Sequence, residues 1–338
     1  MSVRCISQHF WPTGALNLRS ADLRGGTHFG NRETRPSSCV TSGGIISCST
    51  CRGVWSKGRT FRLFLWSAIP SYNLYVKIFD GRAEAKKLDE KILEFVAKNP
   101  AEKVLAIVQI GDNASSEKYV EVKKRVGEKL GIEVVLHKFG AETDDLELIE
   151  KTKEVFEDEG VGGVIVQLPL PRPSLNAILD LVPTEKDIDC LSSQNADGVL
   201  TRLSPAMRAC EYFIYSDGEV SKTKRAIVVG GGKLVGKPIS NYLESKGWKV
   251  EIDENYARGK VLNAQLVVLS AGIPNLVAGE DISDGANVID FGSSVVDGKT
   301  VGDLDMKTGL EHLGLLSPSP GGMGPLTVRY LFMNFLGI

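Results

Sequence analysis

From residue 76 onward, short hydrophobic runs alternate with segments of helical periodicity, and this alternation constrains the fold more than any other feature. Runs such as KVLAIVQI and GVIVQL are typical of buried strands. The segments between them place apolar residues on one helical face and stop at glycine or at asparagine–proline. Strands that alternate with helices predict βαβ units around a parallel sheet, so the predicted fold class is α/β.

The alternation falls into two series, separated by a proline-rich stretch that ends near residue 173. The first series predicts helices at 82–98, 115–130 and 144–158, strands at 103–110, 132–136 and 163–168, and a short helix near 174–181. The second starts near Pro205 and predicts helices at 205–215 and 235–246 and strands at 225–229, 249–252, 266–269 and 288–291. We expect two α/β lobes with a cleft between them.

The first 75 residues differ in composition from the rest. They hold nine basic and two acidic residues, which leaves 31 basic and 40 acidic of the 40 and 42 in the whole chain. Four of the six cysteines also lie there, and the remaining Cys190 and Cys210 are scattered, as in a reduced cytosolic protein. The net charge of −2 argues against a nucleic-acid-binding protein, and no apolar run is long enough to predict a membrane span.

Three interpretations of residues 1–75 are open, because no helical or strand periodicity persists there. The segment is translated upstream sequence, with the true start at Val76, or an Arg- and Ser-rich targeting peptide. The third interpretation is a small zinc site at Cys48 and Cys51, with Cys39 and His28 upstream, although a second cysteine pair is missing. Under all three we expect an extension that takes no part in the chemistry.

A glycine-rich turn follows the predicted strand 225–229 and opens a helix. It consists of Gly230, Gly231, Gly232, Lys233, Leu234, Val235 and Gly236. Such a turn lets the backbone approach a pyrophosphate at a helix N-terminus, although its G-x-G-x-x-x-G spacing departs from the usual fingerprint and a purely structural turn is the alternative. Asp253 ends the next strand, where a carboxylate binds a ribose 2′-hydroxyl. Together these features predict an NAD(P) site.

Four further motifs occur in order along the chain. They are SEKYVEVK at 116–123, VQLPLP at 166–171, KDID at 186–189 and PSPGGMGPLT at 318–327, with VGKP at 235–238 and VGD at 301–303. Over residues 76–338 this set resembles the methylenetetrahydrofolate dehydrogenase/cyclohydrolase family. The resemblance implies a folate-binding catalytic domain at 76–200 plus 318–338 and a Rossmann-type NAD(P)-binding domain at 201–317.

The resemblance also assigns the catalytic residues. Lys123 matches the family's acid/base lysine, Tyr119 lines the folate pocket, and Gln167 orients Lys123. Most helix lysines are solvated, as expected for Lys124, but Lys123 shares one helix face with Tyr119, where partial burial would lower its pKa.

The resemblance places the substrate between two further segments. Asp189 matches the aspartate that holds the amino-pyrimidine edge of the pterin, whereas Asp187 is better explained as a structural turn residue. The C-terminal loop is expected to close the cleft, since glycines let the backbone lie close to a ligand, and a structural turn is the alternative. The implied binding residues of this loop are Pro320, Gly321, Gly322, Gly324 and Thr327.

Departures from the family pattern gather around the cofactor. The family usually has Arg-Ser where this chain has Gly231-Gly232, and carboxylates at Asp253 and Glu254 would repel the 2′-phosphate of NADP. The resemblance therefore implies NADP, whereas these residues favour NAD, with Lys233 as a remaining positive partner. Elsewhere, Cys190 replaces a glycine, and Ser293-Ser294 stands where Ile-Asn is common.

The implied reactions are oxidation of 5,10-methylenetetrahydrofolate with NAD(P)⁺ and hydrolysis of the methenyl product to 10-formyltetrahydrofolate. The resemblance also implies a cytoplasmic homodimer in one-carbon metabolism and purine biosynthesis, with no resident metal and no membrane partner. Three alternatives are open: a monofunctional cyclohydrolase with a degenerate nucleotide lobe, a different two-lobe NAD(P)-dependent dehydrogenase, and a non-catalytic folate- or nucleotide-binding protein.

Overall fold

The computed structural model describes residues 76–196, 202–216, 224–307 and 309–338, and the backbone of two short antiparallel strands, β1 (Cys39–Thr41) and β2 (Gly44–Ile46). The chain divides into two units, Met1–Tyr72 and Asn73–Ile338. The three interpretations of residues 1–75, including the zinc site, lie outside the described residues. The features below all belong to the second unit.

The first lobe is built around a three-stranded parallel sheet of order β5-β4-β6, with β4 central and almost completely buried. Its elements, together with the strand that precedes them, are β3 (Lys77–Ile78), α1 (Gly81–Lys98), β4 (Val104–Ile110), α2 (Ala114–Leu130), β5 (Val134–Phe139), α3 (Asp145–Glu157), β6 (Val161–Val166), a 3₁₀ helix (Pro173–Leu181) and α4 (Ser193–Ala196). Strand β5 begins two residues later than predicted. The reason is that the Ile132 amide donates to Gly127 O and completes the end of α2 after Gly131, which has a φ of +72°.

The second lobe contains a six-stranded parallel sheet of order β3-β15-β11-β9-β7-β8. Its elements, followed by the C-terminal helix, are α5 (Pro205–Ser216), β7 (Arg225–Val229), α6 (Gly236–Ser245), β8 (Lys249–Asp253), β9 (Leu266–Leu269), β10 (Val277–Ala278), a 3₁₀ turn (Gly279–Asp281), β11 (Asn287–Asp290), β12 (Ser294–Val296), β13 (Lys299–Val301), β14 (Leu304–Asp305), β15 (Leu315–Ser317) and α7 (Met323–Leu336). The chain order reverses between β7 and β9. A crevice at such a reversal, outside the carboxyl ends of the strands, is where open α/β sheets bind ligands. The glycine-rich turn directly follows β7 and therefore lies at this position.

Two elements join the lobes. Strand β3 precedes the first lobe in sequence, yet it pairs with β15 in the second-lobe sheet, and the Phe79 amide donates to Leu316 O at 2.8 Å. Helix α7 is shared because Phe332 packs into the first-lobe core while Leu326 packs into the second. The predicted domain division at residue 200 stays a prediction. Within the described ranges, no helix is long and apolar enough to cross a bilayer.

Candidate active site

Helix α2 carries Lys123 into the protein interior, next to the end of β6. Only 9% of Lys123 is exposed, and its Nζ donates a hydrogen bond to Gln167 Oε1 at 3.0 Å. The side-chain Nε2 of Gln167 donates in turn to Leu168 O at 2.8 Å, which fixes the side chain with Oε1 toward Lys123. The predicted partnership of Lys123 and Gln167 is therefore present in the fold, and its catalytic role stays a prediction.

Burial changes the protonation of this lysine. Removal from water lowers the pKa of Lys123, and the nearby negative charge of Asp189 offsets only part of that change. Burial raises the pKa of Asp189, against the influence of Lys123 and with a contribution from Asp187. Lys123 can therefore lose its proton closer to neutral pH than an exposed lysine can, as acid/base chemistry requires.

Asp189 is an open hydrogen-bond acceptor. Only 8% of it is exposed, yet its carboxylate accepts no hydrogen bond from any residue in the described ranges. Buried carboxylates are normally satisfied, so a group left in this state is typical of a binding site. Its geometry suits a ligand that presents two adjacent N–H groups.

Asp187 has the structural role expected from the sequence. Its two oxygens accept hydrogen bonds from the amides of Leu191 and Ser192 and from the Asn195 side chain, at 2.7 to 3.1 Å. These bonds fix the turn that contains Asp189. Cys190 within it has a φ of +57°, a left-handed conformation that suits the glycine of the family pattern.

Tyr119 lies one turn before Lys123 and is about one-third exposed. Its hydroxyl forms a hydrogen bond with the Ser293 hydroxyl, which belongs to the second lobe. The predicted pocket-lining tyrosine therefore lies where the two lobes meet.

The C-terminal loop divides between exposed and packed residues. Pro320 and Gly324 are exposed, and Gly321 has a φ of +111°. A Cβ on Gly322 would lie 2.0 Å from Ser317 Oγ, so packing within the protein already requires glycine there. Thr327 Oγ1 donates to Met323 O within α7. A purely structural turn, the alternative given by the sequence, thus explains Gly322 and Thr327. Substrate binding by the loop stays a prediction.

The glycine-rich turn fits a dinucleotide phosphate. Gly230 has a φ of +94°, and a Cβ on it would lie 2.7 Å from the Ala271 amide nitrogen. A Cβ on Gly236 would lie 1.9 Å from Gly230 O, whereas one on Gly232 would meet nothing within 4 Å. Val235, the residue before α6, provides no side-chain cap, and Pro238 has no N–H. The Lys237 amide donates to Gly232 O at 3.1 Å, so within the first helical turn the Gly236 amide is the group left for an anion.

Asp253 is engaged inside the protein. Its Oδ2 accepts a hydrogen bond from Lys260 Nζ at 2.5 Å, its Oδ1 accepts one from the Asn255 amide at 3.2 Å, and only 8% of the residue is exposed. The sequence places Asp253 at the correct strand end but does not reveal Lys260, because that lysine reaches back from the following loop. The predicted ribose contact by Asp253 would require this ion pair to open.

Two buried carboxylates near the turn were not predicted as site residues. Asp303 Oδ2 accepts hydrogen bonds from the amides of Ala271 and Gly272 at 2.7 and 3.0 Å. Burial raises the pKa of Asp290 to about 7. The VGD motif is the sequence feature that could have indicated Asp303. Its hydrogen bonds hold the loop after β9 at the carboxyl edge of the sheet. Among the described residues, no cluster of His, Cys, Asp and Glu is suited to a metal ion.

Comparison with known proteins agrees with this arrangement. The catalytic-domain model of tetrahydrofolate dehydrogenase/cyclohydrolase matches residues 79–189, and the NAD(P)-binding-domain model of the same family matches residues 205–338. The bifunctional protein FolD of Bordetella bronchiseptica is 32% identical over 271 residues, which cover 76% of this chain and 95% of that protein.

Solved structures show the same fold. The bifunctional FolD methylenetetrahydrofolate dehydrogenase/cyclohydrolase of Campylobacter jejuni superposes with a TM-score of 0.69 at 26% identity, covering 78% of this chain and 98% of that chain. The Trypanosoma brucei enzyme, complexed with NADP cofactor and inhibitor, gives 0.69 at 28% identity, covering 77% and 96%. The lobes, the site and the relatives agree, and the chain belongs to the tetrahydrofolate dehydrogenase/cyclohydrolase family.

Proposed function

We propose that this chain oxidises 5,10-methylenetetrahydrofolate to the methenyl compound with NAD(P)⁺ and then hydrolyses that compound to 10-formyltetrahydrofolate. The observation that carries the proposal is the buried Lys123 amine, hydrogen-bonded to Gln167 and close enough to Asp189 for their charges to interact. A relative that matches over most of its length is named a bifunctional protein, which supports both activities.

Asp189 binds the pterin. A tetrahydrofolate ring presents an amino group and a ring N–H on one edge. The Asp189 carboxylate, which accepts no hydrogen bond from the described residues, can accept one from each of these groups. The surrounding turn, fixed by Asp187, holds this carboxylate in place before the substrate arrives. Such preorganisation aligns the one-carbon bridge of the substrate with Lys123.

Lys123 moves the protons of hydrolysis. In its neutral form the amine removes a proton from the water that attacks the methenyl carbon, and the resulting ammonium then protonates the nitrogen that leaves when the ring opens. The remaining hydroxyl proton on the former methenyl carbon passes to solvent as the formyl C=O forms. Gln167 orients the amine through the hydrogen bond from Nζ. The lowered pKa of Lys123 makes the neutral form more accessible than it is in an exposed lysine.

The turn from Gly230 to Gly236 holds the dinucleotide, which supplies the hydride acceptor for the oxidation when it is bound. The conformation of Gly230 and the space at Gly232 allow the backbone to approach a pyrophosphate. The Gly236 amide at the start of α6 and the exposed Lys233 contribute positive potential there.

The test substitutes Lys123→Met in the full chain and follows hydrolysis of methenyltetrahydrofolate, which needs no nucleotide. We expect hydrolysis to fall by about 10³-fold or more, since general acid–base catalysis contributes up to about 10⁴-fold. Lys124→Met is the matched control, because Lys124 is exposed on the same helix and should leave the rate unchanged. Full hydrolysis in Lys123→Met would refute the assignment.

A second assay separates the two activities. Wild-type protein is mixed with methylenetetrahydrofolate and either NAD⁺ or NADP⁺, and reduction of the nucleotide is followed by absorbance. Reduction of at least one nucleotide supports the bifunctional proposal. If neither nucleotide is reduced but the wild type hydrolyses methenyltetrahydrofolate in the first assay, the chain is a monofunctional cyclohydrolase. A homodimer, a cytoplasmic location and a role in purine biosynthesis remain predictions from the resemblance.

A further inference from the structure

The end of β8 carries two adjacent carboxylates in different environments. Asp253 is buried, and Lys260 and the Asn255 amide occupy its oxygens. Glu254 is exposed and makes no hydrogen bond or ion pair with any residue in the described ranges. The free negative charge at this strand end therefore belongs to Glu254.

The Glu254 carboxylate lies against the glycine-rich turn. A Cβ placed on Gly231 would come within 2.4 Å of Glu254 Oε1 and 3.3 Å of Glu254 Cδ. Gly231 stands where the family pattern usually has the arginine that meets a 2′-phosphate. In this chain a carboxylate fills the space where that arginine side chain would begin, so the sign of the local charge is reversed.

We propose that Glu254 determines cofactor specificity, by accepting a hydrogen bond from the 2′-hydroxyl of the adenosine ribose and by repelling a 2′-phosphate at the same position. The inference rests on the proposed dehydrogenase function and deepens it, since it makes the chain selective for NAD. Two like charges a few ångströms apart disfavour binding, and a carboxylate beside a phosphate is such a pair.

The neighbouring lysines do not reverse this selection. The charge of Lys260 is balanced by Asp253, whose oxygen lies 2.5 Å from its Nζ. Lys233 is exposed within the glycine-rich turn. In the proposed binding mode this turn holds the pyrophosphate, which NAD and NADP have in common. A positive charge that acts on the shared pyrophosphate strengthens the binding of NAD and NADP equally and does not discriminate between them.

The test measures binding, without turnover. Calorimetry on the full chain compares ADP-ribose with ADP-ribose 2′-phosphate at fixed ionic strength, since these ligands differ only in the group that Glu254 faces. We expect the wild type to bind ADP-ribose more tightly. The dissociation constant of ADP-ribose 2′-phosphate divided by that of ADP-ribose should fall by about tenfold or more in Glu254→Gln, because a like charge close to the phosphate is removed. Glu254→Ser, which also shortens the side chain, should change this ratio in the same direction.

Glu251→Gln is the matched control, because Glu251 lies on β8 three residues before Glu254, is exposed and pairs with Arg225 at 3.4 Å. It removes the same charge away from the turn and should leave the ratio unchanged. A wild type that prefers ADP-ribose 2′-phosphate, or a Glu254→Gln effect no larger than that of Glu251→Gln, overturns the inference. If neither ligand binds while methenyltetrahydrofolate is still hydrolysed, the inference and the dehydrogenase half of the proposed function both fail, and the cyclohydrolase half stands.

Discussion

The hydroxyl groups of Tyr119 and Ser293 form a hydrogen bond that joins α2 of the first lobe to the loop after β11 of the second. A second link lies beside it, because Lys118 Nζ donates to Gly298 O, in the turn between β12 and β13, at 3.3 Å. An isoleucine, which is common in the family at the position of Ser293, has no group that can form this bond. In this chain, Tyr119 and Lys118 on α2 therefore both link the first lobe to the second.

A double-mutant cycle tests the link. Tyr119→Phe and Ser293→Ala should each lower the free energy of unfolding, and the double variant should lose no more than the larger single loss. The coupling expected for one hydrogen bond is about 0.5–1.5 kcal/mol. Denaturant unfolding measures each variant.

Ser294→Ala provides the control cycle, because the Ser294 hydroxyl donates to Gly272 O within the second lobe and does not involve Tyr119. The free-energy changes of Tyr119→Phe and Ser294→Ala should add. Additive changes for Tyr119→Phe and Ser293→Ala as well would show that the two hydroxyls do not interact in solution.

The sequence predicted local structure best for strands that are buried on both faces, because such strands appear in the sequence as continuous hydrophobic runs. Strands β7 and β9 have the predicted bounds, Arg225–Val229 and Leu266–Leu269. The pairing of Lys77–Ile78 with β15 was not predicted, since periodicity reports local conformation and not the partner of a strand.

The site shows the same limit. Spacing places Tyr119 and Lys123 on one helix face, but the meeting of Lys123 with Gln167 and Asp189 was expected from the family resemblance alone. The Asp253–Lys260 ion pair escaped prediction because it joins a strand end to an irregular loop, where no helical or strand spacing applies. This tertiary contact pairs Asp253 with Lys260 and leaves the adjacent Glu254 without a partner among the described residues.

The pH dependence of hydrolysis should report the protonation of Lys123. If the neutral amine is the base, the rate rises with pH and levels off above a pKa that lies below the ordinary value for lysine, because burial lowers the Lys123 pKa. The Asp189 charge holds that pKa up, so Asp189→Asn should shift the inflection to lower pH even where substrate binding is weakened. The profile of kcat at saturating substrate measures the shift.

Glu121→Gln is the control for this profile, since Glu121 is exposed on the same helix and pairs with Arg125. Its inflection should match that of the wild type. An inflection that moves upward in Asp189→Asn would contradict the electrostatic role of Asp189.

The glycine-rich turn makes a prediction about packing. Gly236→Ala would place a Cβ 1.9 Å from Gly230 O, so backbone atoms must move. We expect a loss of about 1–3 kcal/mol in the free energy of unfolding, together with weaker binding of ADP-ribose. Gly232→Ala meets nothing within 4 Å and should change stability by no more than about 0.5 kcal/mol. Thermal unfolding and calorimetry of the two variants test this contrast, and equal losses would contradict it.

A buried ion pair between α1 and α7 predicts how stability depends on acid. Arg329 donates to both oxygens of Asp89 at 2.7 and 3.0 Å, Lys129 donates to one of them at 2.8 Å, and only 3% of Asp89 is exposed. Burial alone would raise the pKa of Asp89, but the hydrogen bonds from Arg329 and Lys129 outweigh it and hold the pKa below its usual range. The stability contributed by this carboxylate is therefore present above the unfolded pKa of about 4 and lost as pH falls through the lower folded value.

Asp89→Asn should lower the free energy of unfolding by about 3–5 kcal/mol at neutral pH, because it leaves Arg329 without its charge partner in a largely buried position. The difference between wild type and variant should shrink as pH falls below about 4, where the wild-type carboxylate also becomes protonated. The control is Glu94→Gln, which breaks an exposed pair with Lys98 and should cost no more than about 0.5 kcal/mol at any pH. Denaturant unfolding at several pH values measures all three proteins, and a difference between wild type and Asp89→Asn that stays constant into acid would show that the ion pair does not carry this stability.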